Sequence, residues 1–146
     1  MRDQPRYSTR WSAFAKGYRL SFPIKLGANN VKALIRLFGP HYLEAIEALE
    51  KIAVDSPKVC LMNQVLLHAD PYAQALDWVY NYFKERGKVS YERCGTILAK
   101  ADDLEGHDFV FVWMLEPTRG FIDELINKID EALEPIGVMY TISVKK

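Results

Sequence analysis

The sequence predicts an α+β domain in which helices pack on an antiparallel sheet, of the ferredoxin-like (βαββαβ) type or a related arrangement. Three observations support this fold class. Amphipathic helices with start and stop signals occupy residues 71–86 and 119–134, apolar strand-like segments flank them, and the order along residues 58–146 is βαββαβ. Further helices are predicted upstream, in residues 29–53.

The helix predicted over residues 71–86 begins at an Asp-Pro pair. Asp70 is a suitable N-cap, and Pro71 takes the first helical position, where its missing N–H has no partner to lose. Gly87 provides a left-handed cap at the other end. Between these signals, apolar residues recur at helical spacing: Tyr72, Leu76, Val79 and Phe83.

The second helix and three strands complete the predicted unit. Residues 119–134 carry an apolar stripe that ends before Pro135 and Gly137. Residues 96–100 and 109–115 are strand candidates joined by a polar loop containing Gly106, which predicts a hairpin. In residues 138–144 every second residue is apolar and the residues between them are of mixed polarity, as in a half-buried strand.

The first member of the series, residues 59–67, has two interpretations. Its apolar run favours a buried strand, whereas Ser56-Pro57 is a helix-start signal and Asn63-Gln64 fits poorly inside a central strand. If the segment is a helix, residues 18–26 could supply the first strand, with residues 29–87 as a helical crossover.

Two short helices are expected in residues 29–53. Val31, Leu34, Ile35 and Phe38 have helical spacing and end at Gly39. Pro40 then begins a second helix. Its apolar stripe is wide enough that it must pack on another part of the domain, and it consists of Leu43, Ile46, Leu49 and Ile52. Its other side is predicted to carry one acidic ridge of Glu44, Glu47 and Glu50.

Composition indicates one domain over residues 1–146. The chain has 146 residues and is 49% hydrophobic, enough for a sizeable core. It shows no apolar run long enough to span a membrane and no signal-peptide pattern, so we expect a cytoplasmic protein. Cys60 and Cys94 are therefore predicted to be buried thiols rather than a disulfide.

Charge is concentrated in the N-terminal segment, residues 1–26. Six Lys and Arg against Asp3 give this segment a net charge of +5, and the remaining 120 residues carry −5. Aromatic residues are interleaved with the cations, a composition that suits contact with a macromolecular partner. The predicted partner-binding residues are Arg2, Arg6, Tyr7, Arg10, Trp11, Lys16 and Arg19. Alternatively, the aromatics of residues 10–22 face the core from a strand or hairpin.

The strand at residues 109–113 also offers aromatics. Phe109, Phe111 and Trp113 share one face, which in RNA-recognition folds stacks on bases. The basic start of that motif is absent, because residues 105–108 read Glu-Gly-His-Asp. We therefore expect this strand to be buried on both faces.

Catalytic motifs are missing from the sequence. His68, Asp70, Asp103 and His107 could supply an acid/base or metal site, but none of the standard metal, phosphate or nucleophile motifs is present. We therefore expect neither a cofactor nor a bound metal.

The sequence thus favours a small non-catalytic binding or regulatory protein that docks on a protein or a protein–nucleic acid complex, and not on a membrane. An inhibitor or accessory subunit of a larger complex, including a virus-encoded inhibitor, would fit. Two alternatives remain: a single-stranded nucleic-acid-binding protein that uses the basic aromatic segment, and an enzyme with an unrecognised acid/base or metal site.

Overall fold

The computed structural model describes residues 30–69 and 75–146. These residues form a four-stranded antiparallel sheet with helices, which confirms the predicted α+β class. The strands are β1 (Lys32–Phe38), β2 (Val59–Asn63), β3 (Phe109–Trp113) and β4 (Met139–Lys145). The helices are α1 (Tyr42–Val54), α2 (Gln64–Leu67), α3 (Leu76–Phe83), α4 (Tyr91–Cys94) and α5 (Arg119–Leu133), with a 3₁₀ helix at Ala101–Leu104.

The strand order is β2-β3-β1-β4, and every neighbouring pair is antiparallel. β1 and β2 therefore run parallel to each other with β3 between them, and α1 connects them. In the same way β3 and β4 lie on either side of β1 and are connected by α5. Both crossover helices contribute to a single buried apolar cluster with the sheet.

Different elements pack on the two faces of the sheet. Ile35, Phe109 and Asn63 align across three strands, and Asn63 bonds to Glu50 of α1, so α1 covers this face. The opposite face is covered in part by the 3₁₀ helix, which contacts β2 and β3. Leu34 on this second face of β1 is buried, whereas residues towards the end of β1 and along β4 are exposed there: Arg36, Phe38, Met139, Thr141, Ser143 and Lys145.

The helix predicted at Val31 to Phe38 is wrong, because these residues form β1. β1 pairs with β3 on one side and with β4 on the other. A strand in this position is covered on both faces, and Ala33, Leu34 and Ile35 are all buried. Consecutive apolar residues satisfy helical spacing as well as strand pairing, so periodicity could not separate the two.

The first crossover helix is consequently α1, which confirms the helix predicted after Pro40. The helix predicted over residues 71–86 is present as Leu76–Phe83, but it lies in the connection between β2 and β3. Its proposed N-cap, Asp70, and Pro71 lie outside the described residues.

Residues 59–67 contain both a strand and a helix, so each of the two interpretations is partly right. β2 ends at Asn63, where α2 begins. The Asn63 Oδ1 atom accepts a hydrogen bond from the Leu66 backbone N–H at 2.9 Å, which is an N-cap contact. The Asn63-Gln64 pair therefore marks the boundary between the two elements.

The hairpin predicted from residues 96–100 and 109–115 is wrong. Residues 97–99 instead meet β2 through one parallel bridge between Leu61 and Leu98. β3 could not have accepted them, because β1 and β2 occupy both of its edges.

The last three elements confirm their predictions. Thr118 caps α5 by accepting the Phe121 N–H at 3.1 Å, and the buried positions of α5 follow the predicted stripe. β3 is buried along its whole length. β4 alternates half-buried Tyr140, Ile142 and Val144 with exposed residues.

Candidate functional site

The residues predicted to bind a partner all lie outside the described part of the chain: Arg2, Arg6, Tyr7, Arg10, Trp11, Lys16 and Arg19. The structure does show the contacts of Asn30, which follows their segment in the sequence. The Asn30 Nδ2 atom donates to the carbonyl oxygens of Trp113 at 2.7 Å and Met114 at 3.2 Å. The Trp113 N–H donates to the Val31 carbonyl at 3.0 Å. Asn30, the first described residue, therefore lies beside the end of β3.

Three large apolar side chains are exposed around the same end of the sheet. Relative to full exposure, Met114 is 36% accessible, Leu115 83% and Phe121 41%. The Met114 N–H donates to the Lys58 carbonyl at 3.0 Å, and the Lys58 Nζ atom lies 3.9 Å from the centroid of the Phe121 ring. We call Lys58, Met114, Leu115 and Phe121 the attachment-end patch.

Chain geometry explains how the attachment-end patch forms. Lys58 directly precedes β2 and Met114 directly follows β3, and the antiparallel pairing of these strands brings the two residues together. Pro117 and the cap residue Thr118 then start α5, so Phe121 lies in its first turn. Lys58 over the Phe121 ring is a cation–π contact, worth about 0.5 to 1 kcal/mol where exposed.

A second cluster surrounds Glu50, a fully buried carboxylate of α1. It accepts hydrogen bonds from Asn63 Nδ2 at 2.9 Å, Tyr82 Oη at 2.7 Å and Arg86 Nε at 2.9 Å. Burial, followed by the bond to Glu50, raises the pKa of Tyr82. Trp78 stacks on Tyr82 with ring centroids 5.1 Å apart. The cluster joins α1, β2 and the α3 region, and its contacts are those of a structural support.

The sequence prediction of one acidic ridge is therefore wrong for Glu50. Glu50 lies six positions after Glu44, which places the two side chains about 120° apart around the helix, so they do not share one face. Glu47 is on the solvent side, with its carboxylate 3.7 Å from Arg86 Nη2. The sequence feature that could have pointed to the burial of Glu50 is Asn63, because a polar residue within an apolar strand needs a buried polar partner.

A third cluster is centred on Arg93. Its guanidinium donates to backbone carbonyls of Ala53 at 3.1 Å, Ser56 at 3.1 Å and Thr96 at 3.0 Å, and also to that of Val59. Arg93 thus ties α4 to the end of α1 and the start of β2.

The two cysteines are free thiols, as predicted, with Cys94 buried and Cys60 half-buried. Burial raises the pKa of both, although the Arg93 guanidinium opposes the shift. The thiolate forms are therefore disfavoured, so neither group has the low pKa of an activated nucleophile.

The residues of the enzyme hypothesis have structural contacts where the structure describes them. The Lys32 Nζ atom lies 3.2 Å from Asp103 Oδ1, and the His107 Nδ1 atom lies 3.1 Å from the Glu105 carbonyl oxygen. His68 follows α2 as its C-cap, and Asp70 is outside the described residues. Over residues 30–69 and 75–146, no three His, Cys, Asp or Glu side chains are grouped so that they could hold a metal ion.

Glu105 fixes the 3₁₀ segment across β1 and β4. Its carboxylate lies 2.6 Å from Lys145 Nζ and 2.9 Å from Lys32 Nζ. The hydrogen bond from Lys145, followed by that from Lys32, lowers the pKa of Glu105 to about 2. The carboxylate is therefore ionised near neutral pH and acts as an anchor between two lysines.

The aromatic side chains of β3 do not form a stacking surface. Phe109, Phe111 and Trp113 are buried, which confirms the prediction of a strand covered on both faces. In the part of the chain that the structure covers, no helix is long and apolar enough to cross a membrane. No protein family, curated protein or solved structure matches the chain.

Proposed function

We propose that this chain is a small non-catalytic binding protein that docks on another protein through the attachment-end patch and the basic aromatic segment leading into it. The observation that carries this proposal is the position of the patch. Three exposed apolar side chains lie at the end of the sheet where Asn30 bonds to Trp113 and Met114, and residues 1–26, which precede Asn30 in the sequence, carry a net charge of +5. Exposed apolar groups beside cations are typical of a docking surface with an apolar centre and a polar rim.

The charge of the domain favours a protein partner over nucleic acid. Residues 27–29 carry no charge, so residues 30–146 have a net charge of −5. This charge opposes the approach of a phosphate backbone, whereas the segment alone would attract it. A partner with acidic groups around an apolar recess complements both parts of the proposed surface.

The contacts of three charged side chains support a non-catalytic function. Glu50, Arg93 and Glu105 each bridge separate elements of the fold. Charged groups used in this way are held by structural partners, and networks of this kind perturb pKa values without being catalytic. An inhibitor or accessory subunit of a larger complex remains the form of binding protein that we favour.

We also propose that the topology is ferredoxin-like. Two features support it: β1-α1-β2 with β3 inserted between the strands, and β3-α5-β4 with β1 inserted between them. Residues 64–108 enlarge the connection between β2 and β3, where a simple βαββαβ unit has a short hairpin.

Leu115→Asp is expected to weaken partner binding by about tenfold or more, because loss of an interface anchor costs more than about 1 to 2 kcal/mol. Leu43→Asp is the matched control: Leu43 is 64% exposed and lies at the opposite end of the sheet, beyond Phe38. The measurement is capture of a protein from a nuclease-treated extract of the encoding organism, followed by affinity determination with the purified partner.

Both variants should unfold at the wild-type temperature, since substitutions at exposed positions usually change stability by no more than about 0.5 kcal/mol. Equal binding by the two variants, or an equal loss in both, would remove the attachment-end patch from the interface.

A further inference from the structure

β4 lies at one edge of the sheet, and its outer side is open in the part of the chain that the structure describes. The opposite edge differs. There, the Leu61 N–H donates to the Ile97 carbonyl at 2.8 Å and the Leu61 carbonyl accepts from the Ala99 N–H at 2.7 Å. The domain thus covers the β2 edge with its own backbone, whereas no strand within residues 30–69 and 75–146 pairs with the outer side of β4.

The register shows which backbone groups of β4 face outward. On β1, the carbonyls of Val31 and Ile35 accept bonds from the β3 side, so the alternate residues of β1 bond to β4. Those alternate residues pair with Met139, Thr141, Ser143 and Lys145. The remaining β4 residues direct their N–H and C=O groups outward: Tyr140, Ile142 and Val144.

Free edges are normally protected by bulges, prolines or charges. β4 has little of this protection. All seven of its residues pair with β1 in continuous register, so it contains no bulge, and it contains no proline. Its one charged side chain is Lys145, at the end. The half-buried row of Tyr140, Ile142 and Val144 adds an apolar margin beside the edge.

We propose that β4 pairs with β4 of a second copy of this chain, in antiparallel register about a two-fold axis at Ile142. Ile142 then bonds to Ile142 of the partner subunit, and Tyr140 bonds to Val144 of the partner subunit. This register satisfies every outward N–H and C=O of both strands and overlaps all seven residues. Moving the axis to Val144 leaves Tyr140 without a partner, and moving it to Tyr140 does the same to Val144.

The side chains are self-complementary in this register. Tyr140 meets Val144 of the partner subunit, an aromatic and β-branched pair of the kind that stabilises antiparallel strands. Thr141 faces Ser143 of the partner subunit on the open face. Met139 faces Lys145 of the partner subunit, whose hydrocarbon stem can cover it. Like charges are not placed opposite each other, so the edge fits a second copy of itself.

The test uses the exposed Thr141–Ser143 pairs. Sedimentation equilibrium of the wild-type protein should give twice the chain mass of 16.8 kDa. Thr141→Lys/Ser143→Lys should be monomeric, because two like-charge pairs would face each other across the axis. Thr141→Glu/Ser143→Glu should be monomeric for the same reason, and an equimolar mixture of the two variants should recover the dimer.

Three results would overturn the proposal. They are a monomeric wild-type protein under conditions in which the mixed variants dimerise, a double-Lys variant that remains dimeric, and a mixture that does not associate. Amide exchange adds a fourth: protection of Tyr140, Ile142 and Val144 in a monomer would show that the chain covers this edge itself. The dimer is independent of partner binding, so Leu115→Asp should leave the mass unchanged.

Discussion

Glu50→Ala is expected to destabilise the protein by roughly 3 to 5 kcal/mol, the usual cost of removing one partner from a buried ion pair. Glu50 is fully buried, and the Arg86 side chain that bonds to it is only 17% exposed. The substitution leaves that guanidinium without its principal counter-ion, and it also removes the acceptor of the Tyr82 and Asn63 bonds. Urea denaturation measures the loss.

Glu47→Ala is the matched control for this prediction. Glu47 belongs to the same helix and approaches the same guanidinium, but its side chain is 63% exposed and 3.7 Å away. An exposed pair of this kind contributes about 0 to 1 kcal/mol. Similar losses for the two variants would show that Glu50 is not the centre of the cluster.

Leu125→Asp is expected to cost at least about 3 kcal/mol, because it deletes a core side chain and places a carboxylate among apolar groups. Leu125 is on the buried stripe of α5 and is 4% exposed. The free energy of unfolding from denaturant titration measures this change.

Asn127→Asp is the control, since it introduces the same residue on the exposed side of the same helix. It should change stability by no more than about 0.5 kcal/mol. A loss below about 1 kcal/mol for Leu125→Asp, the low end for core substitutions, would contradict the packing of α5 on the sheet.

Elements with a signal at each end could be predicted from the sequence. α5 has a stripe of apolar residues bounded by Thr118 and Pro135, and β4 alternates along its length. β1 could not be recognised, because a central strand covered on both faces has consecutive apolar residues that also fit a helix. Without β1, the sequence predicts the βαββαβ unit from residue 58 onward and does not identify α1 as its first crossover helix.

Long-range pairing explains the remaining errors. Residues 96–100 have strand composition, but whether they form a hairpin depends on whether an edge of β3 is free, and β2 occupies it. The burial of Glu50 depends on Asn63 and Arg86, which approach it only in the folded chain. The attachment-end patch also combines residues from separate elements, and the sequence predicted only the basic segment beside it.

The most direct test of the proposed protein partner is the affinity of the full chain for a fluorescent single-stranded oligonucleotide, measured at several salt concentrations. The wild-type protein is compared with the variant in which Arg2, Arg6, Arg10 and Arg19 are all replaced by Gln. We expect wild-type binding no tighter than the non-specific range of about 10⁻⁴ to 10⁻⁶ M at physiological salt. Nanomolar binding that is lost in the Gln variant, with log K falling against log salt by roughly 0.7 per phosphate neutralised, would contradict a protein partner and identify nucleic acid as the ligand.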